Sequence, residues 1–514
     1  MCLYESVLGT LLAPRELSKS KLIAFRQCSK RLWLEIHEPG LREDSKSTKA
    51  IFKTGHQIGE IAQRLYDPSS IGALIDLHAE GVGPAIERTH TLLAGDLPIF
   101  EAGFAAAGGM AFADVLLPVK IDAQPRWRMV EVKSSTSVKD YYLDDIAIQS
   151  YVARASGVRL VSVSLAHIDA SWCYGGDGDY HGLLVEKDLT ERTFCREAEV
   201  QEWITQAQTV AALGEAPNIA IGLQCSSPFP CGFFGHCHQN EMTAQFPVTW
   251  LPRIQSKEIK SYINEHSVVD MRDIPCALLN SQQLLVRDYT VRNECFFDAA
   301  GAKQDLADYP LPAYFLDFES IQCGVPKWAG TRPFQFLPFQ LSLHHIDANG
   351  SLSHQEFLDL SGDDPSFAFA HRLVDLCATQ APIFVYNTGF EGRRIWELAE
   401  RFVNLRPQLL AIKKRLVDLL PIAQQRFYHP CQQGSWSIKK VIPAIAPQLR
   451  YDQLEGIQDG DMARQAYLEA IDPETTRERK QEIRLQLKSY CELDTLAMVK
   501  IWCKFAGADL SIEA

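Results

Sequence analysis

The sequence predicts an α/β protein built from two separate modules, and three observations carry that expectation. Between Pro98 and Ile168, strand-length apolar segments are broken by turn signals and one helical segment. After Pro310 and Pro312, strands and helices alternate again from Ala313 onward. The stretch between the modules has helical pattern and few motifs. A chain of 514 residues also exceeds one ordinary hydrophobic core. The expected divisions are residues 1–240, a helical connecting module at 241–310, and residues 311–514.

In the first module, Leu17 to Leu34 and Phe52 to Leu65 carry apolar residues at three- and four-residue spacing, which predicts helices. Pro98 to Ala105 and Met110 to Val119 read as strands joined by a hairpin at Gly108-Gly109. Trp127 to Ser134 is a third strand, Tyr141 to Ala155 a helix, and Arg159 to Ile168 a further strand. In the last module, Ala313 to Phe318, Phe339 to Ile346, Glu356 to Leu360 and Pro382 to Tyr386 read as strands. Helices are expected at Ser366 to Ala378, Phe390 to Phe402, Ser437 to Ile445 and Glu482 to Phe505.

Hydrophobic content of 46% and charged content of 22% are those of a soluble globular protein. No apolar run is long enough for a transmembrane helix, and the N-terminus lacks the pattern of a signal peptide, so a cytoplasmic location is expected, with no membrane partner. Most of the 14 cysteines stand singly in apolar segments, as reduced buried thiols do. The net charge of −13 argues against a general nucleic-acid binder but not against an enzyme acting on nucleic acid, whose bound cations invert the local field. Lys30 with Arg31, Lys413 to Arg415, and Lys439 with Lys440 are candidates for a local basic groove.

Two constellations carry chemistry. In the first, Asp114 and Glu131 fall on neighbouring strands, so both carboxylates can reach one Mg²⁺ or Mn²⁺. Lys133 shares a strand face with Glu131 and can stabilise a phosphorane-like transition state. His56, on the preceding helix, is a candidate further ligand. Gln149, on the following helix, is a candidate for holding substrate. In the second, Asp317 and Glu319 alternate on one strand, Glu391 opens a helix, and Tyr490 and Asp494 are four apart on the C-terminal helix. Four carboxylates can hold two Mg²⁺ ions, with Tyr490 positioning an attacking water. Asp418 is a substitute candidate for Glu391. Cys225, Cys231 and Cys237 form a third group in a loop rich in proline, glycine and aromatics, and Cys28 lies far upstream. The alternatives are an iron–sulfur cluster, structural zinc, or unligated thiols; zinc sites usually contain close cysteine pairs, which this loop lacks.

Residues 15 to 240 resemble the RecB-like branch of the PD-(D/E)XK nucleases, which includes CRISPR-associated exonucleases and the iron–sulfur subunit of the AddAB complex. Ser18-Lys19-Ser20, Cys28, Gly55-His56, Asp114, Glu131-x-Lys133, Gln149 and the late cysteines carry the resemblance. It implies a restriction-endonuclease-like fold, metal binding by His56, Asp114 and Glu131, catalysis assisted by Lys133, and a [4Fe–4S] cluster on Cys28, Cys225, Cys231 and Cys237. The chain departs from the pattern at Ala153, where family members often carry tyrosine. It departs again in the spacing of Cys225 and Cys231, which is commonly shorter.

Residues 311 to 505 resemble the tyrosine-containing DEDD exonucleases of the ribonuclease H-like fold, with Ser437-Ile438-Lys439 similar to their Ser-Leu-Lys element. That resemblance implies metal binding by Asp317, Glu319, Glu391 and Asp494, and substrate contact by Lys439. Glu391 departs from the usual Asp. The domain order also resembles an uncharacterised bacterial family that pairs the two folds. Together these imply a metal-dependent nuclease acting on DNA, at single-stranded ends, in repair, recombination or defence, with a helicase or other protein as partner. The alternative is a nucleic-acid-binding assembly factor with one or both centres degenerate.

Overall fold

A computed structural model describes residues 16–120, 125–239, 244–254 and 256–509. The architecture is mixed α/β, with three sheets among the described residues. The chain divides into two compact units, residues 1–241 with 323–334, and residues 242–322 with 335–514. The stretch read from sequence as a connecting module belongs to the second unit apart from its first residue. The expected boundary at 240/241 lies outside the described residues.

The first unit begins with β1 (Leu17–Ser18), α1 (Lys19–Gln27) and α2 (Ser29–His37). The sequence predicts one helix here, but the chain breaks at Cys28, whose backbone is extended (φ −165°, ψ 125°). Cys28 still donates its N–H to Ala24 O (2.9 Å) and accepts from Leu32 N (3.1 Å), so it closes one helix and opens the next. There follow α3 (Lys46–Tyr66), β2 (Ala73–Leu74), β3 (Ile99–Ala106), β4 (Gly109–Val119), β5 (Arg126–Lys133), α4 (Asp140–Ala155), β6 (Leu160–Ile168), β7 (Leu184–Asp188) and α5 (Glu197–Ala211). The β3–β4 turn holds Ala107 (φ 52°) and Gly108 (φ 81°) both left-handed, as a two-residue type I′ hairpin requires. Gly109 already begins β4.

The sheet order is β2-β3-β4-β5-β6-β7. Strands β3, β4 and β5 pair antiparallel, and β5 pairs parallel with β6. The β4–β5 ladder runs from Val119↔Arg126 to Val115↔Val130 and stops there. The start of β4 pairs instead with β1, Leu17↔Gly109 and Ser18↔Met110. Strands β4 and β5 therefore fork at Asp114 and Glu131, with β1 entering the gap. One face of the sheet packs Ala102, Phe104, Ala111, Ala113 and Met129 against Ile146 and Val152 of α4 and Ile204 of α5. The other face gathers Phe100, Val115, Val130 and Ala166, while Ile58 and Ile61 of α3 pack on Ile168. Strands β3 and β4 thus exchange faces at Glu101 and Asp114, and Glu101 carries a left-handed backbone (φ 56°) at that point.

In the second unit, β8 (Phe296–Phe297) pairs with β14 (Phe427–Tyr428), apart from the main sheet. That sheet has the order β11-β10-β9-β12-β13, from β9 (Ala313–Gln322), β10 (Phe336–Ile346), β11 (Leu352–Leu358), β12 (Ile383–Val385) and β13 (Leu416–Asp418). The hairpins β9–β10 and β10–β11 are antiparallel, and β12 and β13 add parallel to β9. Leu316, Phe318 and Leu341 point to one face, against α6 (Ser366–Leu376) and α7 (Thr388–Arg401). Phe315, on the opposite parity, meets Trp502 edge-on at 6.0 Å. Asp317 and Glu319 share that parity, beneath α8 (Ile438–Ile445), α9 (Gly460–Ala470) and α10 (Arg477–Ala506). The last helix is 30 residues long, starting a turn earlier than its apolar pattern because Thr476 caps it by accepting from Arg479 N (3.2 Å).

A buried polar network fixes α10 on β10. Thr495 Oγ1 lies 2.7 Å from Ser342 Oγ and 2.8 Å from His344 Nδ1. Burial, with the His354 ring tilted alongside at 4.6 Å, pushes the His344 imidazole down to about 3. The folded state therefore keeps His344 neutral where the unfolded chain, titrating near 6.5, takes up a proton. Stability from this group is present above pH 6.5 and is lost as pH falls. His344→Gln is expected to remove about 1–3 kcal/mol of the acid-induced loss between pH 7 and pH 4, read as the difference between wild-type and variant urea midpoints. Parallel pH profiles for the two proteins would contradict this.

Candidate functional site

In the first unit, the fork between β4 and β5 collects the charged side chains. Glu131 is 1% exposed. Its Oε1 accepts from Lys133 Nζ (2.6 Å) and Lys19 Nζ (3.0 Å), and its Oε2 from Gln149 Nε2 (2.6 Å). Asp145 of α4 takes the same two lysines, Lys133 at 2.5 Å and Lys19 at 3.2 Å. Asp114 Oδ2 accepts the backbone N–H of Val132 at 2.6 Å. Burial, then the Glu131 charge, raises the Asp114 carboxyl well above the carboxylate range. Burial alone would lower Lys133, but Asp145, Glu131 and Asp114 outweigh it and raise it well above its usual value. Burial and Glu131 also raise Glu101 on β3.

The fold thus brings Glu131, Lys133 and Gln149 together, with Asp114 beside them. Gln149 is fully buried and orients Glu131 directly. His56 is exposed on α3, two residues from the buried Ile58, and does not form with Asp114 and Glu131 a trio of ligand atoms all within 4.8 Å of one another. Asp145 and Glu101 are additions that the motif reading did not pick out, and Lys19, named there only within Ser18-Lys19-Ser20, was given no role. Asp145 had a signal, since it lies four residues before Gln149 on one helix face.

Cys28, Cys225, Cys231 and Cys237 line one pocket with Lys30, Arg31 and Phe233. Burial raises the Cys237 thiol, Lys30 lowers it, and Cys231, Cys225 and Cys28 raise it further. Cys231 N donates to Cys225 O (2.9 Å), and Gln27 Nε2 ties the loop to α1 through Gln224 O (2.6 Å) and Phe229 O (2.8 Å). Among the described residues, the trio of ligand atoms within 4.8 Å of one another is made of carboxylates, not of these sulfurs. Four thiols around one pocket are a donor set that either an iron–sulfur cluster or a structural zinc could use.

That carboxylate trio is Asp317, Glu319 and Asp494 in the second unit. Burial and the neighbouring charges, Asp494 first, raise Asp317 well above its ordinary range. Burial and Asp494 push Glu319 up to about 8. Burial raises Asp494 to about 6, while Tyr451, Lys439 and Tyr490 hold it back. Such a set is short of positive charge, and a divalent cation with oxygen ligands is its natural complement. Tyr490 lies on the Asp494 face of α10, and its hydroxyl accepts from Lys439 Nζ at 3.1 Å. Lys439 also donates to Gln458 O (2.7 Å), and its ammonium lies over the Tyr490 and Tyr451 rings. Tyr451, which the motif reading passed over, donates to Asp494 Oδ1 at 2.5 Å.

Glu391 stands close enough to raise Asp317, but its carboxylate is not within the trio. It is 4% exposed, burial pushes it up to about 8, and its Oε2 is buried without a hydrogen-bond partner. Asp418 accepts from Asn387 N, Thr388 N, Thr388 Oγ1 and Leu420 N (2.9–3.0 Å), which makes it a cap for two helices rather than a replacement ligand. Of the expected basic groove, Arg415 is committed to the carbonyls of Cys377 (2.7 Å) and Ala381 (2.8 Å), and Arg31 is buried beside Glu35.

Residues 314–437 match the model of a domain of unknown function, DUF2779. The match starts on β9 just before Asp317 and ends at Ser437, so it contains Glu391 and leaves out Tyr490 and Asp494. The chain is also 32% identical over 208 residues to an uncharacterized protein of Mycoplasma pneumoniae, the MG366 homolog. That alignment covers 36% of this chain and 31% of the relative, about a third of its length. No described helix is long and apolar enough to cross a membrane.

Tyr451→Phe removes a hydroxyl donor to a charged acceptor, worth about 1.5–3 kcal/mol. Mn²⁺ binding, followed by electron paramagnetic resonance, is expected to weaken roughly tenfold or more with the fold intact. Unchanged Mn²⁺ affinity would mean that Tyr451 does not support this carboxylate cluster.

Proposed function

We propose that this chain is a metal-dependent nuclease with two phosphodiesterase centres, acting on DNA and most readily on single-stranded ends. The observation that carries the reading is the converging trio Asp317, Glu319 and Asp494, of which Asp494 is buried and the other two half-buried, with Tyr490 and Lys439 beside it. Three acids with raised pKa values and, among the described residues, no arginine or lysine in an ion pair with them are costly to keep, unless a cation compensates them. The strand order β11-β10-β9-β12-β13, with two antiparallel hairpins and then parallel additions, supports a ribonuclease H-like reading of this unit. The strand–fork–helix setting of Asp114, Glu131 and Lys133 supports a PD-(D/E)XK reading of the other.

Bound Mg²⁺ or Mn²⁺ would supply an activated water and Lewis-acid stabilisation of the phosphate. In the second unit, Asp317, Glu319 and Asp494 hold the ions and Glu391 approaches from α7. Tyr490 aligns the attacking water, with its hydroxyl oriented by Lys439. In the first unit, Asp114 and Glu131 hold the ion and Lys133 neutralises charge developing on the phosphate. Gln149 fixes the rotamer of Glu131. The four cysteines hold a [4Fe–4S] cluster that ties α1 to the end of the unit. A second reading, a nucleic-acid-binding assembly factor, draws on the position of Glu391 outside the trio and on the exposure of His56.

End-labelled single- and double-stranded DNA and RNA, incubated with Mg²⁺ or Mn²⁺, test the proposal. Lys133→Ala and Asp317→Ala are each expected to lower cleavage at one centre by at least about a hundredfold, and the double variant to abolish it. Wild-type cleavage no greater than that of the double variant would rule out nuclease activity and favour the binding reading. Protein purified without oxygen is expected to carry iron and sulfide and to absorb broadly near about 400 nm, with both lost in Cys231→Ser. Stoichiometric zinc instead would replace the cluster assignment.

A further inference from the structure

We propose that Lys19 is a positioning residue of the N-terminal centre, and that α1 makes its placement depend on the cysteine pocket. The proposal rests on the nuclease reading of that centre. Lys19 reaches Glu131 Oε1 at 3.0 Å and Asp145 Oδ1 at 3.2 Å, while Lys133 takes the same Glu131 oxygen and the other Asp145 oxygen. Two lysines and two buried carboxylates form a closed, charge-balanced square. Without Lys19, one lysine must serve both acids, and Lys133 is drawn between Asp145 and Glu131 instead of being held in place.

The backbone delivers Lys19 to this position. Pairing of β1 with the start of β4 seats Leu17 and Ser18 in the fork, and Lys19 is the next residue. Ser18 caps α1 by accepting from Lys21 N at 3.4 Å. Nine residues further on, a span of ~13 Å along a helix, α1 ends at Cys28 in the cysteine pocket. Gln27 binds two carbonyls of the cysteine loop, and Arg26 reaches Asp144 of α4 at 3.2 Å and covers Trp203 at 4.1 Å. Helix α1 is therefore a strut, with Lys19 at one end and a thiol of the cluster set at the other. Four thiols that hold a common group fix the strut. Without a common group on the four thiols, its Cys28 end is left to the hydrogen bonds of Gln27, the Arg26–Asp144 ion pair and the contact of Arg26 with Trp203.

The test uses the full chain carrying Asp317→Ala, so that cleavage reports the N-terminal centre. Lys19→Met, Lys19→Arg and Cys28→Ser are made in that parent, and the double variant Lys19→Met/Cys28→Ser is added. Lys19→Met should lower kcat ten- to a hundredfold with little change in KM and unaltered iron content, and Lys19→Arg should recover part of the loss. Cys28→Ser should raise amide hydrogen exchange across residues 19–27 at least tenfold and lower cleavage to the Lys19→Met level. The double variant should be no worse than either single variant. Parent-like kcat in Lys19→Met overturns the positioning role. Unchanged exchange of α1 in Cys28→Ser, or fully additive losses in the double variant, overturns the strut. If the parent cuts no more than its Lys133→Ala derivative, the nuclease reading of the N-terminal centre fails, and the exchange measurement still decides whether the cysteine pocket controls α1.

Discussion

Carboxylates held away from water govern both units, and the two units compensate them in opposite ways. In the first, Glu131 and Asp145 are balanced by Lys19 and Lys133, and the spare oxygen of Glu131 is taken by Gln149. In the second, Asp317, Glu319 and Asp494 converge with the more distant Lys439 and Arg464 and the hydroxyls of Tyr451 and Tyr490 to restrain their repulsion. Neighbouring acids raise one another, and the rise measures how much charge is missing. The first centre is internally neutralised; the second stays electrostatically incomplete until something positive arrives.

The rest of each unit can be read as support for these charges. The parity of β9 puts Asp317 and Glu319 on the face covered by α10, while its other residues fill the core against α6 and α7. Helix α10 must then present Asp494 at one rotation only, and the Thr495 contacts with Ser342 and His344 set it. In the first unit the same role falls to the end of the β4–β5 ladder, since strands still paired at Asp114 and Glu131 would leave no room for Lys19 between them.

Much of this was legible in the sequence, for physical reasons that mark where the reading ran out. The two-residue period of a strand made Glu131 with Lys133, and Asp317 with Glu319, readable as shared faces. The four-residue helical spacing did the same for Tyr490 with Asp494. Lys19 was not readable as a partner of Glu131, because 112 residues separate them and only the β1–β4 pairing joins them. Tyr451 sits in a short turn with no periodic pattern to point at Asp494. The helix reading over Leu17 to Leu34 missed the break at Cys28 because apolar spacing persists on both sides of it. Exposure of His56 was accessible in principle, since it lies about 200° around α3 from the buried Ile58.

The forked ladder also decides which replacements at Asp114 can be interpreted. Past the fork, the N–H of Val132 has lost its place opposite β4, and the Asp114 side chain stands in for the missing strand. This carboxylate is part of the sheet's hydrogen-bonded framework and, in the proposed function, part of its chemistry as well. Alanine there deletes both functions and leaves an amide unsatisfied inside the sheet. Asparagine keeps a carbonyl oxygen for that amide and removes only the charge, so the amide isostere is the substitution that separates architecture from reactivity at this position.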